Sequence, residues 1–345
     1  MKIGIVGLPN VGKSTLFQAL TKREVDTSNY PFATIEPNVG IVPVPDKRLA
    51  KLAEISSSEK IIPAIVEFVD IAGLVKGANQ GEGLGNQFLR HIREADAILE
   101  VVRTFEKSDV SHVEGAVNPQ RDMEIIATEL ILKDLETING HLPKIEKELK
   151  GTAKETAKKI SRRLELFESL KNSLSQGQLA NQRPEEEKEA AQSVNLLTVK
   201  PFMYIYNGEP QKTKIEKMPE NSLILNIKEE SDLNILSEEE QREFRTETSL
   251  DLIIKKAYEM LGLISFFTTG EKETRAWTIK QGATAKKAGA AIHTDFEEKF
   301  IKANVIFWKN LIKAGGWSQA RNQGLLRLEG KDYLVQDGDV MEFKI

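Results

Sequence analysis

Apolar and polar positions repeat along this chain with two different periods, and the changes of period divide it. The first apolar run, Lys2-Ile3-Gly4-Ile5-Val6, has the length of a buried strand, and residues 15–20 read as the first turns of a helix. Residues 38–44 alternate apolar and polar, which predicts a strand. Residues 64–69 form an apolar strand ending in Asp70, 86–95 read as a helix, and 97–102 as another buried strand. From 119 to 195 the period becomes helical. Met123, Ile126, Leu130, Leu135, Ile138, Leu142, Ile145 and Leu149 follow three/four spacing, and so do Ile160, Leu164, Phe167, Leu170 and Leu174 beyond Gly151. Two such runs about a turn predict an antiparallel helical hairpin, with Pro143 kinking the first helix or splitting it. Strands resume at 201–206, ending in Asn207, and at 222–226, followed by an amphipathic helix at 249–261. Beyond about Phe266 the pattern shortens to strands at 275–279, 325–328, 333–335 and 340–343, a tight turn at Asp337-Gly338-Asp339 and a helix at 296–303. The expected fold class is α/β: one domain over 1–118 and 196–265, an inserted helical domain at 119–195, and a small mixed domain at 266–345.

Composition narrows the class without naming a function. The 345 residues are 40% hydrophobic and 29% charged, as in globular proteins, and no apolar run reaches the ~18 residues of a membrane span. No signal peptide is expected, since Lys2 leads directly into the first strand, and the expected location is cytoplasmic. There are no cysteines, so disulfides, thiolate metal sites and cysteine nucleophiles are excluded, and four scattered histidines make no ligand cluster. A net charge of −4 argues against coating nucleic acid by bulk charge, and no DNA partner is expected. Lysines and arginines do crowd the hairpin tip, among them Lys144, Lys150, Lys158 and Arg162; this reads either as an RNA-facing end or as a solvated helix face.

The chemistry is carried by Gly7-Leu8-Pro9-Asn10-Val11-Gly12-Lys13-Ser14-Thr15, a G-x-x-x-x-G-K-S loop set between a strand and a helix. Its glycines let backbone N–H groups curl around a polyphosphate at a positively polarised helix end. Lys13 would reach the β/γ-phosphates, and the Ser14 hydroxyl would bind Mg²⁺. Thr34, in a turn-rich loop, is either the hydroxyl that completes the Mg²⁺ shell or an ordinary surface threonine. Asp70 at its strand tip would support the metal, and Gly73 three residues on would bring an N–H to the γ-phosphate. Leu74 stands where many GTPases place a water-orienting glutamine, and it can neither donate nor accept. The glycines at 77, 81, 83 and 85 suggest a second mobile loop. Phe105, just past a strand end, reads either as a base-stacking ring or as core.

Base choice is the unusual feature. GTP-binding switches carry N-K-x-D at the strand ending near Asn207, and the aspartate reads guanine. Here the residues are Asn207-Gly208-Glu209-Pro210, so the usual guanine acceptor is missing. Asn207 is suited to an adenine edge, the Gly208 backbone to close approach, and Glu209 to an out-of-register guanine acceptor.

With these residues in place the chain resembles the Obg-like ATPases, the YchF group of P-loop proteins in the translation-factor-related class. The resemblance rests on GLPNVGKSTLF, YPFATIEPN, FVDIAGLVKGA, GEGLGNQFL, AWTIKQGATA, HTDFEEKFIKA and LEGKDYLVQDGDVMEF. It implies a Ras-like nucleotide domain, the inserted hairpin and a C-terminal TGS domain of β-grasp type. It also implies ATP preferred over GTP, slow hydrolysis with Mg²⁺, and a ribosome or ribosomal-RNA partner. Carried over, Asn10, Val11, Gly12, Lys13, Ser14 and Thr15 bind phosphates; Ser14, Thr34 and Asp70 hold Mg²⁺; Phe105, Asn207 and Gly208 lie at the base; and His112 is the catalytic histidine beside Lys13 and Gly73. The chain departs from the family's N-x-x-E by placing Pro210 at the acidic position; residues 210–235 are shorter than usual, and Pro143 and Glu100 also depart. Three readings stand open: an ATPase switch, a GTPase of the same fold, and a nucleotide-gated ribosome- or RNA-binding module in which hydrolysis is incidental. A phosphotransferase is a fourth, without an evident acceptor lid.

Overall fold

The computed structural model describes residues 1–22, 29–30, 36, 38–71, 84–105, 117–151, 153–213, 215, 217–233 and 248–345. Contacts divide it into two compact units: Met1–Lys22, Ile35–Gly40 and Glu67–Arg245 form the first; Arg23–Thr34, Ile41–Val66 and Thr246–Ile345 form the second.

Most of a six-stranded sheet lies in the first unit; it is made of β1 (Lys2–Val6), β2 (Val39–Pro43), β4 (Ile65–Asp70), β5 (Ala97–Arg103), β6 (Phe202–Asn207) and β7 (Ser222–Leu225), in the order β2-β4-β1-β5-β6-β7, with residues 41–43 and 65–66 counted in the second unit. β1 pairs in parallel with β4 and β5, β5 with β6, and β6 with β7. Strands buried on both faces must be apolar throughout, which is why Ile3, Ile5, Phe68, Ile98 and Leu99 read as runs rather than alternations. Two helices of this unit flank functional segments: α1 (Lys13–Thr21) follows the glycine loop, and α3 (Leu84–Glu94) precedes β5. The short helix α7 (Ile227–Leu233) follows β7.

The predicted hairpin is present. Helix α4 (Pro119–Lys150) packs on α5 (Lys154–Ser175), with Ile126, Leu130, Ile138 and Ile145 facing Phe167, Leu170 and Leu174 in a buried stripe, and α6 (Glu185–Ser193) lies against α5. The expectation of a split at Pro143 is corrected: α4 runs unbroken through it. Pro143 lies on the exposed face, where the missing N–H and the ring are borne on the solvent side. Arg162 pairs with Glu165 and Glu186, and Arg163 with Glu148, so these two arginines belong to a salt-bridged helix face.

The second unit holds a mixed six-stranded sheet of β3 (Lys60–Ile62), β8 (Leu263–Thr269), β9 (Glu273–Lys280), β10 (Lys302–Phe307), β11 (Arg327–Glu329) and β12 (Asp339–Lys344), in the order β11-β10-β12-β8-β9-β3. Helix α2 (Lys47–Ser56) packs beside β9. Two strands cross the expected boundaries: β8 begins before residue 266, and β3, from the stretch 1–118, pairs in parallel with β9. The helix expected at 296–303 is a single short turn, Thr294–Glu298, followed by strand β10. Ala303, Val305 and Ile306 are buried against β12 and β11, and the β-branched residues favour that pleated setting over a helix. The strand expected at 333–335 is only an isolated bridge between Leu334 and Thr284, and the strand expected at 325–328 shifts to Arg327–Glu329. Among the described residues no helix is long and apolar enough to cross a membrane.

Candidate functional site

The site lies within the first unit, at the ends of its central strands. β1 stops at Val6, and the chain turns back through a loop into α1. The helix starts on Gly12, which is left-handed (φ 107°), and the preceding Asn10 is also left-handed (φ 62°). A Cβ on Gly12 would stand 2.6 Å from Asn207 Nδ2, so glycine is required there both for its dihedral and for the close approach of β6. No side chain caps α1 and no acidic residue occupies its first turn. Its N–H groups and its positive dipole end are therefore directed at the loop, the arrangement that binds phosphate.

Two side chains of that first turn stand at the loop. Lys13 is 8% exposed, and its Nζ donates to the Leu8 carbonyl at 2.8 Å. Burial lowers its pKa, and the charge of Asp70 partly restores it. A cation held in a partly dry loop is predisposed to an anionic ligand. Ser14 is exposed, and its Oγ donates to Asp70 Oδ2 at 3.1 Å. A hydroxyl and a carboxylate this close at the loop's rim are hard oxygen donors of the kind Mg²⁺ takes when phosphate oxygens and water complete its shell. They therefore fit the ion. Among the described residues no group of three or more His, Asp or Glu is assembled for a metal. Thr15 is half-buried in the same helical turn.

The base-side residues are joined to the loop differently from a simple ligand contact. Asn207 is buried at the end of β6; its Nδ2 donates to the Val11 carbonyl at 2.8 Å, and its Oδ1 accepts from Ile227 N at 3.1 Å. Its amide thus fastens the phosphate loop to the start of α7. The Gly208 N–H is bonded to the Leu225 carbonyl at 3.0 Å. Glu209 is exposed and pairs with Lys212 at 2.6 Å, and Pro210 is exposed. Phe105 is half-buried, with the Arg103 guanidinium 4.4 Å from its ring centroid and the Arg103 Nε on its carbonyl at 3.0 Å. Thr34, Gly73, Leu74 and His112 lie outside the described residues. The structure therefore brings together Asn10, Val11, Gly12, Lys13, Ser14, Asp70 and Asn207.

Three further residues make long-range hydrogen bonds that the sequence reading does not anticipate. Thr104 donates its hydroxyl to the Asn207 carbonyl at 2.8 Å. Asp134, buried on α4, accepts from Leu197 N, Thr198 N and Thr198 Oγ1 at 2.7, 2.8 and 2.6 Å. Lys200 caps the end of α3 through the Arg93 and Ala95 carbonyls. A carboxylate interrupting an apolar helix stripe was the one available signal for Asp134; nothing local marks Thr104.

Family models match two parts of the chain. Residues 2–138 match the model described as 50S ribosome-binding GTPase, and residues 263–345 match the C-terminal YchF-GTPase model, described as a protein of unknown function. The chain is 47% identical to the ribosome-binding ATPase YchF of Haemophilus influenzae, over 99% of this chain and 98% of the relative. It is 44% identical to the ribosome-binding ATPase YchF of Bacillus subtilis, again over 99% and 98%. The solved structure of the Schizosaccharomyces pombe YchF GTPase superposes with a TM-score of 0.88 at 37% identity, covering 100% of this chain and 97% of that one.

Proposed function

The chain belongs to the YchF family, and from that premise we propose that it is a cytoplasmic, ribosome-binding ATPase whose nucleotide state governs its hold on the ribosome. The observation that carries the reading is the uncapped start of α1, with buried Lys13 beside it and the Ser14–Asp70 pair at 3.1 Å. Asn10 to Thr15 wrap the phosphates, and Lys13 neutralises the β/γ-oxygens. Ser14 and Asp70, with Thr34, hold Mg²⁺, which when bound supplies charge neutralisation at the transferring phosphoryl group. The Gly73 N–H holds the γ-phosphate, and His112 orients the attacking water in place of the glutamine that Leu74 replaces. Phe105, Asn207 and Gly208 line the base.

ATP rather than GTP is the proposed substrate. The Haemophilus influenzae and Bacillus subtilis relatives are named ATPases, the Schizosaccharomyces pombe one a GTPase, and Pro210 offers no side-chain acceptor for guanine. The domain reading accompanies this: a nucleotide domain over 1–118 and 196–265, a helical domain at 119–195 and a TGS domain at 266–345, the last two facing the ribosome.

The test is Lys13→Ala, assayed for ATP binding, ATP hydrolysis and nucleotide-dependent co-sedimentation with ribosomes. Loss of binding or turnover by at least ~100-fold, together with loss of the nucleotide effect on sedimentation, is expected when a charge-assisted phosphate contact of this kind is removed. An unchanged ATPase rate would refute the assignment. The module reading, with hydrolysis incidental, is favoured only if sedimentation keeps its ATP dependence when turnover is blocked.

A further inference from the structure

The residues expected to read the base are largely committed elsewhere. The Asn207 amide is spent on Val11 and Ile227, the Gly208 N–H on Leu225, and Glu209 on Lys212; Pro210 has nothing to offer. Among the described residues two half-buried hydroxyls stand beside Gly208, Thr104 Oγ1 nearer than Thr213 Oγ1, at 2.1 and 2.8 Å from where its Cβ would lie. Thr104 is half-buried, and its backbone N–H and its Oγ1 both bond the Asn207 carbonyl, at 3.0 and 2.8 Å. A Cβ built on Gly208 would lie 2.1 Å from Thr104 Oγ1. The hydroxyl therefore fills the space into which a side chain at 208 would project, the place where the N-K-x-D pattern has its lysine stem.

Resting on the reading that a base binds beside Gly208, we propose that Thr104 is a specificity-determining residue: its Oγ1 accepts a hydrogen bond from the exocyclic amino group of adenine and disfavours the C6 carbonyl of guanine. A hydroxyl has a single proton. The Asn207 carbonyl cannot donate, so at 2.8 Å the Thr104 proton is directed there and its remaining lone pairs accept; donating to a guanine C6 carbonyl instead requires giving up the Asn207 bond. The neighbouring Thr213 hydroxyl, 3.5 Å away, must then be the donor in any contact between the two, which fixes the same polarity. In one pose, adenine places a donor at C6 and guanine places an acceptor there. An acceptor facing an acceptor loses its hydrogen bond and gains repulsion, the asymmetry by which polar sites reject near-isosteres.

The experiment measures dissociation constants of ATP, GTP and ITP for the full chain, in wild type and in Thr104→Val, Thr104→Ala and Thr104→Ser. ITP shares guanine's C6 carbonyl and N1–H and lacks its amino group, so it separates the C6/N1 edge from the C2 amino group, and the Thr104 variants then report the C6 contact. Wild type should bind ATP more tightly than ITP. Val and Ala should lower the ATP:ITP and ATP:GTP affinity ratios by about 2- to 12-fold, the value of one neutral hydrogen bond, and Ser should restore them. Equal wild-type affinity for ATP and ITP overturns the proposal, as does an unchanged ratio in both Val and Ala, the result a purely structural threonine would give. Failure of wild type to bind any of the three overturns the nucleotide-site reading itself, a distinct outcome.

Discussion

Replacing Asn207 by alanine removes two hydrogen bonds and leaves two backbone groups behind. The Val11 carbonyl and the Ile227 N–H belong to residues that are each 1% exposed, so water does not readily replace the amide. Each orphaned buried group costs about 1–3 kcal/mol, which puts the substitution at roughly 2–6 kcal/mol before any cavity is counted. At about 2–4 °C per kcal/mol that corresponds to a fall of about 4–24 °C in melting temperature. Because Val11 lies in the phosphate loop, nucleotides should lose affinity irrespective of base. Asn207→Asp is the sharper perturbation. It keeps an acceptor for Ile227 but sets a carboxylate oxygen against the Val11 carbonyl, so near pH 7 it should be worse than alanine. Protonation supplies the missing donor, which raises the folded-state pKa of the introduced carboxyl. Its destabilisation is therefore relieved as pH falls through that raised value. The assay is calorimetric melting at pH 5, 6 and 7 alongside ATP and GTP titration. A melting temperature within ~1 °C of wild type for the alanine variant, or an aspartate variant insensitive to pH, would refute the view of Asn207 as a strut.

Two other perturbations follow from buried carboxyls. Glu100 is 2% exposed in β5; burial, and then the charge of Asp122 from α4, raise its pKa well above the usual range, with Tyr204 and Tyr206 of β6 also against it. A raised folded-state pKa means stability that is full at low pH and lost as pH climbs through the raised value. Glu100→Gln should therefore gain on wild type by about 1.4 kcal/mol for each pH unit between the ordinary glutamate value and the raised one, and urea melts whose difference does not change from pH 5 to 8 would contradict this. Asp134→Ala orphans two buried N–H groups and one hydroxyl and should cost about 3 kcal/mol or more in urea unfolding; a loss under ~1 kcal/mol would show that water replaces the carboxylate.

What could be read from sequence was what depends on neighbours along the chain. The loop at 7–15 shows itself because a phosphate-wrapping backbone demands glycines and a Lys-Ser pair at fixed offsets. Asp70 shows itself because it ends an apolar strand, and the structure does put it beside Ser14. The hairpin stripe was legible because three/four spacing persists over many turns. Errors cluster where runs are short: 302–307 became a strand because β12 and β11 were there to pair with it, a partnership no local pattern encodes. The same holds for β3, whose partner β9 lies over two hundred residues on. Asp134 meets Leu197 across 63 positions, and Thr104 meets Asn207 across 103, so neither role can be seen from composition or period.

Those long-range bonds converge on one short segment. Leu197 and Thr198 are held by Asp134 of α4, and Thr198 also accepts the Ala180 N–H at 3.3 Å. Two residues on, Lys200 grips the last carbonyls of α3. The chain then enters β6 at Phe202 and reaches Asn207, whose amide holds the phosphate loop at Val11. The hairpin, helix α3 and the phosphate loop are thus each tied by charged or buried hydrogen bonds to a run of about ten residues. A shift at the end of α3 reaches residue 200 through the Lys200 ammonium and passes to α4 through the buried Asp134 bonds, whose rupture costs more than a rigid-body adjustment of packed elements. If nucleotide state alters α3, the stiff path to the hairpin therefore runs through 197–200. Asp134→Ala should then uncouple nucleotide-dependent ribosome sedimentation from ATP binding, leaving the affinity for ATP within about 3-fold of wild type while the nucleotide effect on sedimentation is lost; full retention of that effect would place the coupling elsewhere.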